Sequence, residues 1–151
     1  MKIYFAGPLF SEAERNWIRS TKEQIERTAK EHQKEINVIS PYGLITQEEI
    51  DALAESAKHE IFSRCKSHLE DSDLVVALLD GAQVDDGTAW EIGYYYASKR
   101  GKIIGIRTDF RRAGESEGAQ VNAMIECSCD RIVRNAEELM KVLIEAIKVG
   151  V

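Results

Sequence analysis

Leu74-Val75-Val76-Ala77-Leu78-Leu79 is a run of six apolar residues, entered from Ser72-Asp73 and left through Asp80-Gly81. With no polar member, a strand made from it has no face to show to water. Such a strand belongs inside a parallel sheet covered on both sides. The flanking sequence supplies the rest of that sheet. Upstream, Lys2 to Ala6 reads as a strand and Ser11 to Gln33 as a helix, opened by the capping-box pattern Ser11-Glu12-Ala13-Glu14. Ile36 to Ser40 reads as a second strand, ended by Pro41 and Gly43, and Thr46 to Asp71 as helical with a break near its middle. Downstream come an acidic loop from Asp80 to Gly87, a helix from Thr88 to Lys99 stopped by Gly101, and a strand from Ile103 to Arg107. A polar loop from Thr108 to Gly118, a short helix from Gln120 to Glu126, a strand from Arg131 to Val133 and a helix from Ala136 to Val149 complete the chain. This alternation predicts an α/β fold: one doubly wound domain over residues 1–151, with a five-stranded parallel sheet between layers of helices. Ligands in such folds sit beyond the carboxyl ends of the strands, where the strand order reverses. Ala6 to Phe10, Pro41 to Ile45 and Asp80 to Glu91 are the segments expected to face that cleft.

Composition narrows the functions open to this fold. The chain has 151 residues, 44% hydrophobic and 30% charged, enough for a buried core. It carries 26 Asp and Glu against 20 Lys and Arg, a net charge of -6. A duplex DNA or RNA binder would instead show a basic face, so no nucleic-acid partner is expected. No apolar run approaches the length that spans a bilayer, and Pro8 and Ser11 arrive too soon for a signal-peptide core. Cys65, Cys127 and Cys129 are an odd number, which suits free thiols in a reducing cytoplasm. Cys127-x-Cys129 has no second pair to complete a zinc site, and His32, His59 and His68 are isolated on helical segments, so no metal is expected.

The acidic loop is the first place to look for chemistry. Asp80, Asp85, Asp86 and Glu91 put four carboxylates in twelve residues with no Lys or Arg among them. At the mouth of a cleft such groups repel one another, and one can be held at a raised pKa. They would stabilise a developing oxocarbenium ion, and one of them could be a carboxylate nucleophile. A purely structural account competes with this. Thr88-Ala89-Trp90-Glu91 has the capping-box form, with Thr88 as N-cap, and Asp85 and Asp86 suit a solvated turn. Calcium-loop spacing and a Gly-Lys-Ser/Thr phosphate loop are both missing. At the end of the first strand, Gly7-Pro8 turn the chain out at the cleft. There Tyr4 could offer its hydroxyl to a carboxylate and Phe10 could stack on a flat ring; both also suit a core aromatic. Tyr94-Tyr95-Tyr96 spread around a helix, so at least one must be exposed or at an interface.

Three blocks of the sequence resemble the nucleoside 2-deoxyribosyltransferase family. They are Ile3-Tyr4-Phe5-Ala6-Gly7-Pro8-Leu9-Phe10, then Ser72 to Gly81 with Asp85-Asp86-Gly87-Thr88-Ala89-Trp90-Glu91-Ile92-Gly93, and finally Val121-Asn122-Ala123-Met124-Ile125. The resemblance implies a flavodoxin-like fold and transfer of 2-deoxyribose between nucleobases, with no cofactor. It implies Glu91 as nucleophile, forming a covalent deoxyribosyl-enzyme that a second base attacks with net retention. It makes Tyr4 the group that orients Glu91 and Asp85 the partner of a sugar hydroxyl. Gly7, Phe10, Asp86, Gly87 and Thr88 would bind substrate, Phe10 along the base. Asn122 would reach a neighbouring subunit's site, so the active unit would be a homodimer or larger homo-oligomer. The substrates would be a deoxynucleoside and a free nucleobase, in cytoplasmic salvage. One position departs from the family: where many members carry an Asp that passes a proton to the departing base, this chain has Cys65, and a thiol is a weak donor.

Two other readings set the tests. A hydrolase of 2′-deoxynucleoside 5′-phosphates would share the glutamate chemistry but needs a phosphate cradle. Pro8 to Glu12 offers one hydroxyl and an acid, although Arg107, Arg111 and Arg112 could bring charge from a loop that otherwise reads as solvated. A non-catalytic nucleotide-sensing module would use the same fold. A receiver of that kind wants acids after the first strand, where this chain has Ala6-Gly7-Pro8.

Overall fold

The computed structural model describes residues 1–149; the last two residues of the expected domain lie outside the described residues. In chain order the elements are β1 (Lys2–Ala6), α1 (Glu12–Glu31), β2 (Asn37–Ile39), α2 (Gln47–Leu53), α3 (Ala57–Glu70) and β3 (Leu74–Leu78). They continue with α4 (Asp86–Ser98), β4 (Lys102–Ile106), α5 (Ala123–Glu126), β5 (Arg131–Val133) and α6 (Ala136–Val149). The strands form one sheet in the order β2-β1-β3-β4-β5, every pairing parallel. This is the flavodoxin-like order, and it reverses between β1 and β3.

Alternation along the strands sorts side chains between two layers. Ile3, Phe5, Leu74, Val76, Leu78, Ile104 and Ile106 pack on one face against Ile18 and Ile25 of α1 and Leu139 and Leu143 of α6. Tyr4, Ala6, Val75, Ala77 and Ile103 pack on the other, against Leu69 of α3 and Ile92 and Tyr95 of α4. All five residues of β3 are buried, as a run with no polar member requires. In α1 the buried positions Ile18, Thr21, Ile25 and Ala29 make one stripe down the helix, and Ser11 and Glu14 close the capping box at its start. The Thr46 to Asp71 segment does break: α2 ends at Ala54, which takes a left-handed φ of 47°, and a single 3-10 turn leads into α3.

Two predicted boundaries move for physical reasons. Helix α4 begins at Asp86, one residue beyond its N-cap Asp85, and not at Thr88. Its last helical residue is Ser98, one before the expected Lys99; Lys99 caps it with a left-handed φ of 52°, so the stop does not depend on Gly101. Gly101 itself marks a close approach, since a Cβ there would lie 2.1 Å from the Asp73 carbonyl oxygen. Helix α5 is shorter than predicted because the Glu126 carboxylate accepts from the Gln120 and Val121 N–H groups, holding those residues in a bend ahead of the helix. No helix among the described residues is long and apolar enough to cross a membrane.

Candidate active site

Three loops leave the carboxyl ends of β1, β2 and β3 and, with α3, enclose a cavity of about 710 Å³ at the point where the strand order reverses. The loop after β1 supplies Gly7, Leu9 and Phe10; the loop after β2 supplies Pro41 through Thr46; α2 supplies Gln47 and Ile50; α3 supplies Ile61, Arg64 and Cys65; and α4 supplies Gly87, Thr88 and Glu91 beside Asp85. Gly7 is needed where it stands. A Cβ there would meet Ile18 Cδ1 at 2.9 Å and Leu78 Cβ at 3.1 Å, so a larger residue would require Ile18 and the β1 loop to shift.

The chemistry sits on the cavity wall. Tyr4 points from β1 toward α4, and its hydroxyl donates to Glu91 Oε1 at 2.5 Å. Glu91 is 9% exposed. Burial raises its pKa from 4.5 to about 7, the Asp85 charge pushes the same way, and the Tyr4 hydrogen bond opposes them. The Tyr4 phenol is held far above its ordinary range, by burial first and by the neighbouring Glu91 charge next. Tyr4 is thus a fixed donor, and Glu91 a carboxyl that ionises near neutrality. Cys65 lines the same cavity, and burial raises its thiol's pKa.

Asp85 explains how the helix brings Glu91 there. Its Oδ2 accepts from both the Thr88 N–H and the Thr88 hydroxyl, each at 2.9 Å, so Asp85 caps α4 and fixes its first turn. The capping box expected between Thr88 and Glu91 is therefore absent. Thr88 is the capped residue, and the Glu91 side chain turns to Tyr4. The solvated turn expected for Asp85 is likewise replaced by this cap, whereas Asp86 is exposed, accepts only from the next N–H, Gly87, and does not line the cavity.

The remaining candidates lie elsewhere. Asp80 faces away from the cleft: it accepts from the Thr108 and Asp109 N–H groups and from the Thr108 hydroxyl, stitching the β3 loop to the β4 loop. Arg107 is not on a solvated loop. It is fully buried and donates to the carbonyls of Leu79, Gly81 and Arg111. Arg111 pairs with Asp109, which that guanidinium holds well below the usual carboxylate range. Asn122 caps α5 and lines a separate cavity of about 400 Å³ with Gln83, Val84 and Glu115. Among the tyrosines, Tyr95 is buried, Tyr96 is exposed, and Tyr94 donates to Glu70 at 2.5 Å. Cys127 and Cys129 are free thiols, and no group of three or more His, Cys, Asp or Glu among the described residues is arranged to hold a metal ion.

Sequence reasoning singled out neither Arg64 nor Tyr42. Arg64 is the only basic side chain on the cavity wall among the described residues, and its charge is matched by Glu60 at 2.7 Å and Glu49 at 3.1 Å. The i,i+4 spacing of Glu60 and Arg64 was the available signal. For Tyr42 it was position alone, within the turn that ends β2.

Fold and site together define a flavodoxin-like α/β protein in which a buried phenol holds a carboxyl at the wall of the cleft along the carboxyl edge of its sheet. Residues 3–124 match the family described as nucleoside 2-deoxyribosyltransferase, and the chain belongs to that family. It is 28% identical to an uncharacterized protein of Ureaplasma parvum serovar 3, over 96% of each chain. A conserved protein of Enterococcus faecalis V583 superposes with a TM-score of 0.71 at 30% identity, covering 93% of this chain and 95% of the other. The 2-deoxyribosyltransferase of Bacillus psychrosaccharolyticus shares the fold with a TM-score of 0.72 at 22% identity, covering 93% of this chain and 90% of the other.

Proposed function

We propose that this protein transfers 2-deoxyribose from a deoxynucleoside to a free nucleobase through an ester on Glu91. The observation that carries the reading is the Tyr4–Glu91 pair: a buried carboxyl, held by one oxygen, at the wall of a nucleoside-sized cavity. A carboxylate nucleophile needs a fixed orientation and little solvation, and this site supplies both. One Glu91 oxygen attacks C1′ from the face opposite the base. The C1′–N bond breaks, its electron pair leaves with the base, and the base takes a proton from solvent. A nitrogen of the second base then attacks C1′, the ester C–O bond breaks to return the carboxylate, and that nitrogen releases its proton. Two inversions give net retention. Tyr4 holds the other carboxylate oxygen throughout.

Asp85 stands at the cavity wall as the partner for a sugar hydroxyl, while Phe10, Gly7, Gly87 and Thr88 bound the substrate. Asp86, exposed and off the cavity, acts through the turn that leads into α4. Asn122 lies outside its own chain's Glu91 cavity, which supports its donation to a neighbouring site in a homo-oligomer. The matched charge of Arg64 favours a neutral nucleoside over a 5′-phosphate. Free thiols suit a cytoplasmic setting. The test is chromatography of deoxyinosine or thymidine with the protein, with and without adenine or cytosine. A new deoxynucleoside formed only with the second base is the expected result; base release without it overturns transfer in favour of hydrolysis.

A further inference from the structure

We propose that Tyr42 is a base-binding residue: with Phe10 it forms a two-sided aromatic clamp, and Arg15 is the positioning residue that sets the clamp's geometry. The chemical class of the ring, a nucleobase, rests on the transferase reading above; the clamp rests on the cavity.

Phe10 and Tyr42 line the same cavity from different loops, one after β1 and one after β2. Both are large and mostly uncovered, Phe10 at 81% and Tyr42 at 64% exposure. Two apolar rings standing in water on one cleft are unfavourable unless something flat covers them. One half-buried side chain joins the two loops. Arg15, on the first turn of α1, donates through Nη1 to the Leu9 carbonyl at 2.9 Å and the Phe10 carbonyl at 3.0 Å. Its guanidinium carbon also stands over the Tyr42 ring, 5.8 Å from the centroid. The planar guanidinium serves both contacts at once, donating along its edge and covering the ring with its face. With one face of Tyr42 covered by the guanidinium, a second flat group has the other face to use. A base stacked there is gripped by its π-surface and not by its hydrogen-bonding edge, so the clamp takes purine and pyrimidine rings alike and favours the larger.

The experiment pairs calorimetric titration with free adenine and steady-state transfer kinetics, for wild type, Tyr42→Ala, Tyr42→Phe, Arg15→Met and the Arg15→Met/Tyr42→Ala double variant. Tyr42→Ala is expected to weaken adenine binding and raise its KM about 10-fold, with kcat changed far less. Tyr42→Phe, which keeps the ring, restores most of that loss. Arg15→Met is expected to weaken adenine binding with kcat changed far less, and the double variant to bind adenine more weakly than Tyr42→Ala alone, because Arg15 also holds the loop that carries Phe10; a double variant equal to Tyr42→Ala overturns the positioning role of Arg15. Adenine binding by Tyr42→Ala equal to wild type overturns the clamp, as does a wild type that takes up no adenine. If wild type binds adenine through Tyr42 yet makes no new nucleoside, the clamp stands and the transferase reading falls.

Discussion

Glu91 is a buried acid whose ionisation the fold opposes, and that has two measurable consequences. Folded, its pKa is about 7 against 4.5 for the ordinary group, so the folded state holds its proton more tightly. This contribution to stability is fully present below about pH 4.5 and is lost as pH rises through about 7. Glu91→Gln removes the cost, and at pH 8 it is expected to raise unfolding free energy by about 3 kcal/mol while abolishing transfer; denaturant melts at pH 4 and pH 8 check the pH dependence. Because the nucleophile must be ionised, transfer by the wild type is expected to rise with pH through about 7. The Asp85 charge helps hold Glu91 protonated, so Asp85→Asn is expected to move that limb to lower pH, read from kcat/KM profiles. At this scale the residues alone offered the pairing of Tyr4 with Glu91 only as an option, because residues 4 and 91 meet through the sheet; the family resemblance named it. The alternative, a Thr88–Glu91 capping box, is a local pattern that the cap three residues earlier pre-empts.

Among the elements, β3 was the most legible, since a run with no polar member leaves a strand nowhere to go but the interior. Helix starts were legible where one cap stood alone: Ser11 and Thr46 both close the boxes that their spacing announces. Asp85 and Thr88 compete for one helix, and Asp85 wins because its carboxylate satisfies the Thr88 N–H and hydroxyl together. Asp85→Ala is accordingly expected to cost about 1 to 2 kcal/mol in thermal or chemical unfolding, with Asp85→Asn recovering most of it. The bend that leads into α5 was hidden for a different reason. It depends on Glu126 reaching back to two N–H groups, a bond that helical periodicity does not encode.

At the scale of the molecule, the five-stranded parallel sheet follows from βα alternation, and its strand order puts the β1, β2 and β3 loops on one cleft. Charge pattern misled at Arg107, which reads as a loop cation and is instead a buried tie between two loops. Removing it leaves the Leu79, Gly81 and Arg111 carbonyls without their donor, so Arg107→Met is expected to destabilise by about 3 kcal/mol in denaturant unfolding. If Asn122 serves a neighbour's site, mixing inactive Glu91→Gln with inactive Asn122→Ala should regain transfer as subunits exchange; a mixture that stays inactive after exchange overturns the shared site.

The two outermost strands, β2 and β5, are only three residues long. A second molecule seeking to prolong the sheet would find a template too short to hold it, which guards the fold against strand-by-strand aggregation. The same shortness directs any association of copies to side chains on helices and loops. The stacked Trp90 and Tyr94, with Phe62 edge-on to the indole, are an aromatic group that such a meeting of helices would find on α3 and α4.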